Sequence, residues 1–273
     1  MSELSTVDVE VAVVGAGPNG LLVACELALS GAAPVVLERL PEPSTLPKAN
    51  GLVGRVSEAL DRRGLFTAFG GVDRPLPVPG FQFGALDLDF RGLAGTAMYA
   101  LPIPQLRMEQ VLAGRAAELG VAVRRGHELV GLTQEADRVL ADVRGPDGEY
   151  RLRARYLVAA DGGRSTVRKA CGIGFPGETE TRVVTRLGQV AIGEPVAVPG
   201  TGELDVAGMG RLRPQTFTRT ERGLFSYGTF QPGVYRVAVV EWSEPGDPGG
   251  EDWARDDIPL AELAAAAGRV LGA

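Results

Sequence analysis

A chain of 273 residues, with 45% apolar and 23% charged side chains, is long enough to bury a sizeable core and too apolar to be read as disordered. Its formal charge of −6 argues against a nucleic-acid partner or an anionic membrane, both of which need basic patches, and points to a neutral or aromatic small molecule. No apolar stretch reaches the roughly 18 residues that span a bilayer, and MSELSTVDVE lacks a basic and then apolar signal segment, so a cytoplasmic location is expected.

Val9 to Val14 is a Val-rich run of strand length that stops at Gly15. Gly15, Gly17 and Gly20 follow at G-x-G-x-x-G spacing, after a strand and at the opening of a helix, which is the context a dinucleotide fingerprint requires. Gly15 permits the tight turn, Gly17 lets a pyrophosphate approach the backbone, and Gly20 lets the helix lie close to the sheet. Pro18 falls where the first-turn N–H has no partner anyway. Leu21 to Ser30 predicts the helix body, with Gly31 as its stop, and Pro34 to Leu37 a second strand ending at Glu38. An acid about 20 positions after the glycines is placed to accept from a ribose 2′-OH and would repel a 2′-phosphate. The fingerprint alone leaves NAD and FAD both open.

LPEPSTLPKANGLVGRV is a proline-rich connection, with Lys48, Asn50 and Arg55 either solvated or beside a ligand. Val53 to Phe69 has helical spacing. Phe81 to Phe90 alternates as one strand whose pattern slips at Gly84, which predicts a bulge or cover on both sides. A helix from Gln105 to Leu119 is closed by Gly120. A meander follows: Val121–Val123, Glu128–Gln134 and Val139–Arg144, then a Pro146-Asp147-Gly148 turn into Tyr150–Ala154. Leu157 to Ala160 reads as a buried parallel strand. It ends at Asp161, Gly162 and Gly163, where an acid either faces a ligand or caps the next turn.

Beyond Glu178 strand-like runs recur up to Trp242, predicting an antiparallel sheet. Phe217, Phe225, Tyr227 and Phe230 could line a pocket for a flat substrate, with core packing as their default use. Ser243 to Asp257 reads as a loop and Pro259 to Leu271 as a final Ala-rich helix. Cys25 and Cys171 form no C-x-x-C and are expected to be buried thiols. The single histidine, His127, excludes a His-rich zinc site and reads as a solvated edge residue.

The segments GAGPNG with LER, PKANGLVGR, PQLRMEQVL and YLVAADGGRSTVRK together resemble the class A flavoprotein monooxygenases, in particular the FAD-dependent hydroxylases of aromatic polyketide biosynthesis. The resemblance implies an α/β fold: a Rossmann-like FAD-binding domain with a β-meander over residues 1–175, an antiparallel-sheet substrate domain over 176–258, and a helix from 259 to 273 returning to the first domain. It implies FAD on Gly15, Gly17, Gly20 and Glu38, with Arg39 and Leu129 beside the adenine. Gln105 and, less directly, Lys48 would approach the flavin, and Asp161 and Gly162 would serve FAD and a transient NAD(P)H, which favours a ligand role for Asp161.

The implied activity is hydroxylation of an aromatic substrate by O2 through a flavin hydroperoxide. A Baeyer–Villiger oxygenase and a non-catalytic ligand-binding module are the alternatives. Relatives carry a further Gly-Asp flavin segment that would lie beyond Ala273, in cis or on a second chain, so residues 1–273 alone are expected to hold FAD weakly.

Overall fold

The Val-rich run near the N-terminus is fully buried from Val11 to Val14, which puts it in the middle of a sheet covered on both faces. The computed structural model describes residues 5–45, 48–83, 85–178, 183–193, 196–231, 233–242 and 258–272. The elements are, in chain order, β1 (Thr6–Val14), α1 (Pro18–Leu29), β2 (Pro34–Glu38), β3 (Gly51–Val53), α2 (Val56–Asp61), β4 (Gly80–Phe83), β5 (Leu86–Asp89), β6 (Ala100–Pro102), α3 (Gln105–Glu118) and β7 (Ala122–Arg125). They continue with β8 (Glu128–Gln134), β9 (Val139–Gly145), β10 (Gly148–Ala159), α4 (Thr166–Ala170), β11 (Val183–Val190), β12 (Leu204–Val206), β13 (Gly210–Leu212), β14 (Phe217–Arg219), β15 (Gly223–Gln231), β16 (Val234–Trp242) and α5 (Leu260–Leu271). The fold is α/β, in two units: Met1–Pro77 with Ala97–Pro176, and Val78–Thr96 with Gly177–Ala273.

The first unit is built on a six-stranded sheet of order β7-β2-β1-β10-β9-β8. β7, β2, β1 and β10 run parallel, and β9 and β8 extend the sheet antiparallel as a meander. Successive side chains of β1 serve opposite cores, as the period of two requires. Val11 and Val13 pack with Leu21, Leu112 and Ala116 of α1 and α3, while Ala12 and Val14 pack with Leu129, Ala141, Val143 and Leu152. Tyr150–Ala154 and Leu157–Ala160, read as two strands, are one: β10 pairs with β9 through Ala154 and with β1 through Ala159.

The helix expected over Val53–Phe69 is shorter. Val53 pairs in β3, Gly54 turns the chain at φ +81°, α2 covers only Val56–Asp61, and Gly64 at φ +67° breaks the helical path. Leu65, Phe66 and Phe69 are still buried, so the apolar spacing marked core residues without marking a helix.

In the second unit β11-β16-β15-β14 form an antiparallel sheet. The run expected as a single strand over Phe81–Phe90 is a hairpin, with Phe83 opposite Leu86 and Ala85 at φ +65°. The slip in its pattern is therefore a turn. The side-chain amide of Gln82 pairs with the Phe217 backbone, its Nε2 donating to the carbonyl oxygen at 3.3 Å and its Oε1 accepting from the N–H. That satisfies backbone groups on β14, the edge strand of the sheet.

The final helix, expected to return to the first domain, packs on the antiparallel sheet. Leu263, Ala266 and Val270 lie on one helical stripe and meet Phe225, Tyr227, Val237 and Val239. Gly188 makes room, since a Cβ there would lie 2.5 Å from Leu263 Cδ2. Glu241 ties the layers together, accepting from Arg269 Nε at 2.7 Å and pairing with Arg186, which also reaches Glu262 at 3.0 Å. Phe225 and Tyr227 are thus core residues, Phe217 is exposed, and the Phe230 side chain lies outside the described residues, as does the loop expected over Ser243–Asp257.

Tyr227 Oη donates to Leu212 O at 2.6 Å and lies 3.0 Å from Gly202 O. Burial pushes its pKa up from 10.0 to about 12. The folded pKa is the higher one, so the stability this phenol contributes is complete below pH 10 and is lost as pH rises towards 12. Across that window the wild-type chain is expected to lose on the order of 2 kcal/mol more than Tyr227→Phe does, read by urea denaturation at stepped pH. Parallel losses in the two proteins would contradict the burial argument.

Candidate cofactor-binding site

Gly15 leaves β1 at φ +104°, a conformation L side chains rarely adopt, and a Cβ there would lie 2.5 Å from the Ala160 carbonyl oxygen. Gly20 is demanded by space alone: its Cβ would stand 1.9 Å from the Gly15 oxygen and 3.2 Å from Ala160 Cβ. Helix α1 can therefore start directly against the turn. Gly17 is its N-cap, with Pro18 next, and nothing lies within 4 Å of a Cβ added at Gly17. The first N–H groups of a helix lack intrahelical acceptors, and the dipole makes that end positive. Open space, free N–H groups and a closely seated helix fit the pyrophosphate of a dinucleotide.

Around this turn a cleft of about 110 Å³ is lined by Val14, Gly15, Leu37, Glu38, Arg39, His127, Glu128, Leu129, Asp161, Arg164 and Thr166. Five of the residues singled out in the sequence, Gly15, Glu38, Arg39, Leu129 and Asp161, meet there. Gly17 and Gly20 adjoin it through α1, and Gly162 follows Asp161 at φ +78°. Lys48 and Gln105 do not line it. Instead, Gln105 N donates to Ala49 O at 3.0 Å, so the two share a separate corner, and Gln105 Nε2 donates to buried Glu109 at 2.7 Å.

Two acids in the cleft are already bonded to backbone. Glu38 Oε2 accepts from Ala16 N at 2.8 Å and Oε1 from Leu40 N at 2.9 Å, so the carboxylate holds the glycine turn to the end of β2. Asp161 accepts from Ser165 Oγ at 2.6 Å, Thr166 N at 2.7 Å and Val167 N at 3.1 Å. It caps the start of α4 and lines the cleft at once, because the strand ends where the short helix begins.

His127 is not the solvated edge residue expected. It is half-buried, lines the cleft, and has its Nδ1 3.0 Å from Tyr150 Oη. Its neighbourhood is made by a non-local contact, His127 N donating to Glu38 O at 2.9 Å, which no sequence spacing announces. Arg164 and Thr166 were also missed, although both sit in the DGGRST segment that carries Asp161. Cys25 is buried as expected, but Cys171 is exposed, because α4 is a single short helix and Cys171 is its C-cap. Among the described residues no cluster could hold a metal ion, and no helix is long and apolar enough to cross a membrane.

Comparison with known proteins gives a consistent answer. The FAD binding domain family matches residues 8–256. A 12-dehydrotetracycline 5-monooxygenase/anhydrotetracycline 6-monooxygenase of Streptomyces rimosus is 41% identical over 237 residues, covering 86% of this chain and 46% of that protein. An aromatic hydroxylase from angucycline biosynthesis superposes with a TM-score of 0.77 at 34% identity, over 98% of this chain and 50% of the other. Aklavinone-11 hydroxylase, solved with FAD and aklavinone, superposes with a TM-score of 0.70 at 30% identity, over 100% of this chain and 51% of the other. The chain spans about half the length of the curated relatives it matches.

Proposed function

The chain belongs to the FAD binding domain family, and from that premise we propose that it serves an FAD- and NAD(P)H-dependent monooxygenase that hydroxylates a flat aromatic substrate of the polyketide type. The observation that carries the reading is the convergence of the glycine turn, Glu38 and Asp161 on one cleft at the C-terminal ends of parallel strands, where α/β sheets take nucleotides. Similarity to a dehydrotetracycline and anhydrotetracycline monooxygenase and to an aromatic hydroxylase from angucycline biosynthesis supports the substrate class.

In this reading the backbone around Gly15, Gly17 and Gly20 would bind the pyrophosphate, and Glu38 would accept from the ribose while still holding Ala16 N–H. Arg39 and Leu129 would flank the adenine. Asp161 and Gly162 would meet FAD and the transient NAD(P)H, and Gln105 and Lys48 the flavin end. FAD held there would supply the redox chemistry, using two electrons from NAD(P)H to split O2 between the ring hydroxyl and water. The chain's own part is to bind, orient and exclude water, so no side-chain nucleophile or base is required.

The test is an FAD titration of the chain followed by flavin fluorescence, then NAD(P)H oxidation with and without phenolic or quinonoid compounds. Weak but saturable FAD binding is expected of residues 1–273, with substrate-stimulated oxidation yielding a ring hydroxyl once the further flavin segment is supplied. A lactone product would move the assignment to a Baeyer–Villiger oxygenase. FAD binding without NAD(P)H consumption would leave a ligand-binding module, and absence of FAD binding would overturn the reading.

A further inference from the structure

We infer that His127 is a specificity-determining residue for the adenosine half of the dinucleotide, presenting a neutral Nε2–H as hydrogen-bond donor to a lone pair of the adenosine. The inference rests on the dinucleotide reading of the cleft.

Four contacts place the ring. His127 N donates to Glu38 O at 2.9 Å and Gly126 N to Leu40 O at 3.2 Å, which lash the turn between β7 and β8 to the end of β2. Both Glu38 and His127 therefore line the same cleft. Gly145 lies against the ring, where a Cβ would stand 2.9 Å from His127 Cε1 and Nδ1, so the glycine leaves room for it. Tyr150 stands edge-on to the ring at a centroid distance of 5.7 Å.

Arg124 Nη1 can only donate, and it does so to Tyr150 Oη at 3.3 Å. Tyr150 Oη keeps one hydrogen to give, and His127 Nδ1 lies 3.0 Å from it; with that hydrogen on Nδ1, the tautomer we infer, the ring proton sits on Nε2. Burial and then the Arg124 charge hold the imidazole below its ordinary pKa, with Asp147 opposing. Glu38, Arg39, Glu128, Asp161 and Arg164 are the other charged groups that line the cleft. A neutral ring whose Nδ1 is engaged has one donor to offer, complementary to the acceptor role of Glu38.

Because the chain has a single histidine, a long-range 1H–15N imidazole spectrum reads this ring alone. At neutral pH the free chain is expected to show a bare Nδ1 and a protonated Nε2, and titration with ADP is expected to shift the Nε2 resonance. By calorimetry, His127→Leu should weaken ADP binding about tenfold, and His127→Gln, which keeps an N–H near the Nε2 position, should recover most of the loss. An imidazolium, an Nδ1–H tautomer, or unchanged ADP affinity in His127→Leu would overturn the inference while leaving the cleft's assignment intact. Failure of the wild-type chain to bind ADP would overturn both.

Discussion

Gly20→Ala is expected to destabilise the chain by on the order of 3 kcal/mol, while Gly17→Ala changes stability by less than about 1 kcal/mol yet weakens FAD binding at least about tenfold. The two glycines belong to one motif but answer to different physics. A methyl at Gly20 would sit 1.9 Å from the Gly15 carbonyl oxygen, which is backbone and cannot rotate away. Either α1 lifts off the turn or the turn leaves β1, and both moves open the core that Leu21, Ala24 and Cys25 form with α3. At Gly17 the backbone is extended, φ −72° and ψ 178°, so alanine is sterically allowed and meets no protein atom. Its methyl would instead occupy the space at the helix N-terminus into which a pyrophosphate must come. Urea denaturation beside FAD titration separates the two effects. Equal stability losses in the two variants would show that the open side of Gly17 is not a ligand surface.

Loss of the Glu38 carboxylate is expected to cost about 2 kcal/mol of stability and about a hundredfold in FAD affinity in Glu38→Leu. Its two oxygens accept from Ala16 N–H, after β1, and from Leu40 N–H, after β2. Removing them leaves the glycine turn held to β2 by the Gly15 N–H to Leu37 O bond at 2.7 Å, and the Ala16 donor without a charged acceptor. Glu38→Gln should be intermediate, because the amide oxygen can keep one bond while its NH2 faces the other donor. A ribose role adds a separate signature. ADP should bind the wild-type chain more tightly than 2′-deoxy-ADP, and the difference should shrink in Glu38→Gln. If 2′-deoxy-ADP and ADP bind the wild-type chain alike, Glu38 is a tether for the turn and nothing more.

Charge placement also orders the cleft. Asp161 is engaged by a hydroxyl and two backbone N–H groups, so whatever it offers a ligand must come from its remaining lone pairs. Arg39 and Arg164 are the cations of the same cleft, set against the carboxylates of Glu38, Glu128 and Asp161.

Strand, glycine turn, helix, second strand and Glu38 could all be read from the chain because each signal there is local. Apolar period, a φ that only glycine adopts, a proline at a helix start and a fixed spacing to an acid need no knowledge of distant residues. The meander could be read for the same reason, since Pro146-Asp147 turns β9 directly into β10. What spacing and turn chemistry left hidden were the packing contacts between residues far apart in sequence. The apolar stripe of α5 showed that a face would be buried but not that Phe225 and Tyr227 would bury it, and this is why aromatics that could have lined a pocket are core. The exposed Cys171, the shortened α2 and the hairpin at 80–89 follow from turns whose neighbours set them. His127 is the plainest case. Its sequence neighbours are arginines and suggest solvent, whereas its partners, Glu38 and Tyr150, are brought to it only when β2, β7, β8 and β10 assemble into one sheet.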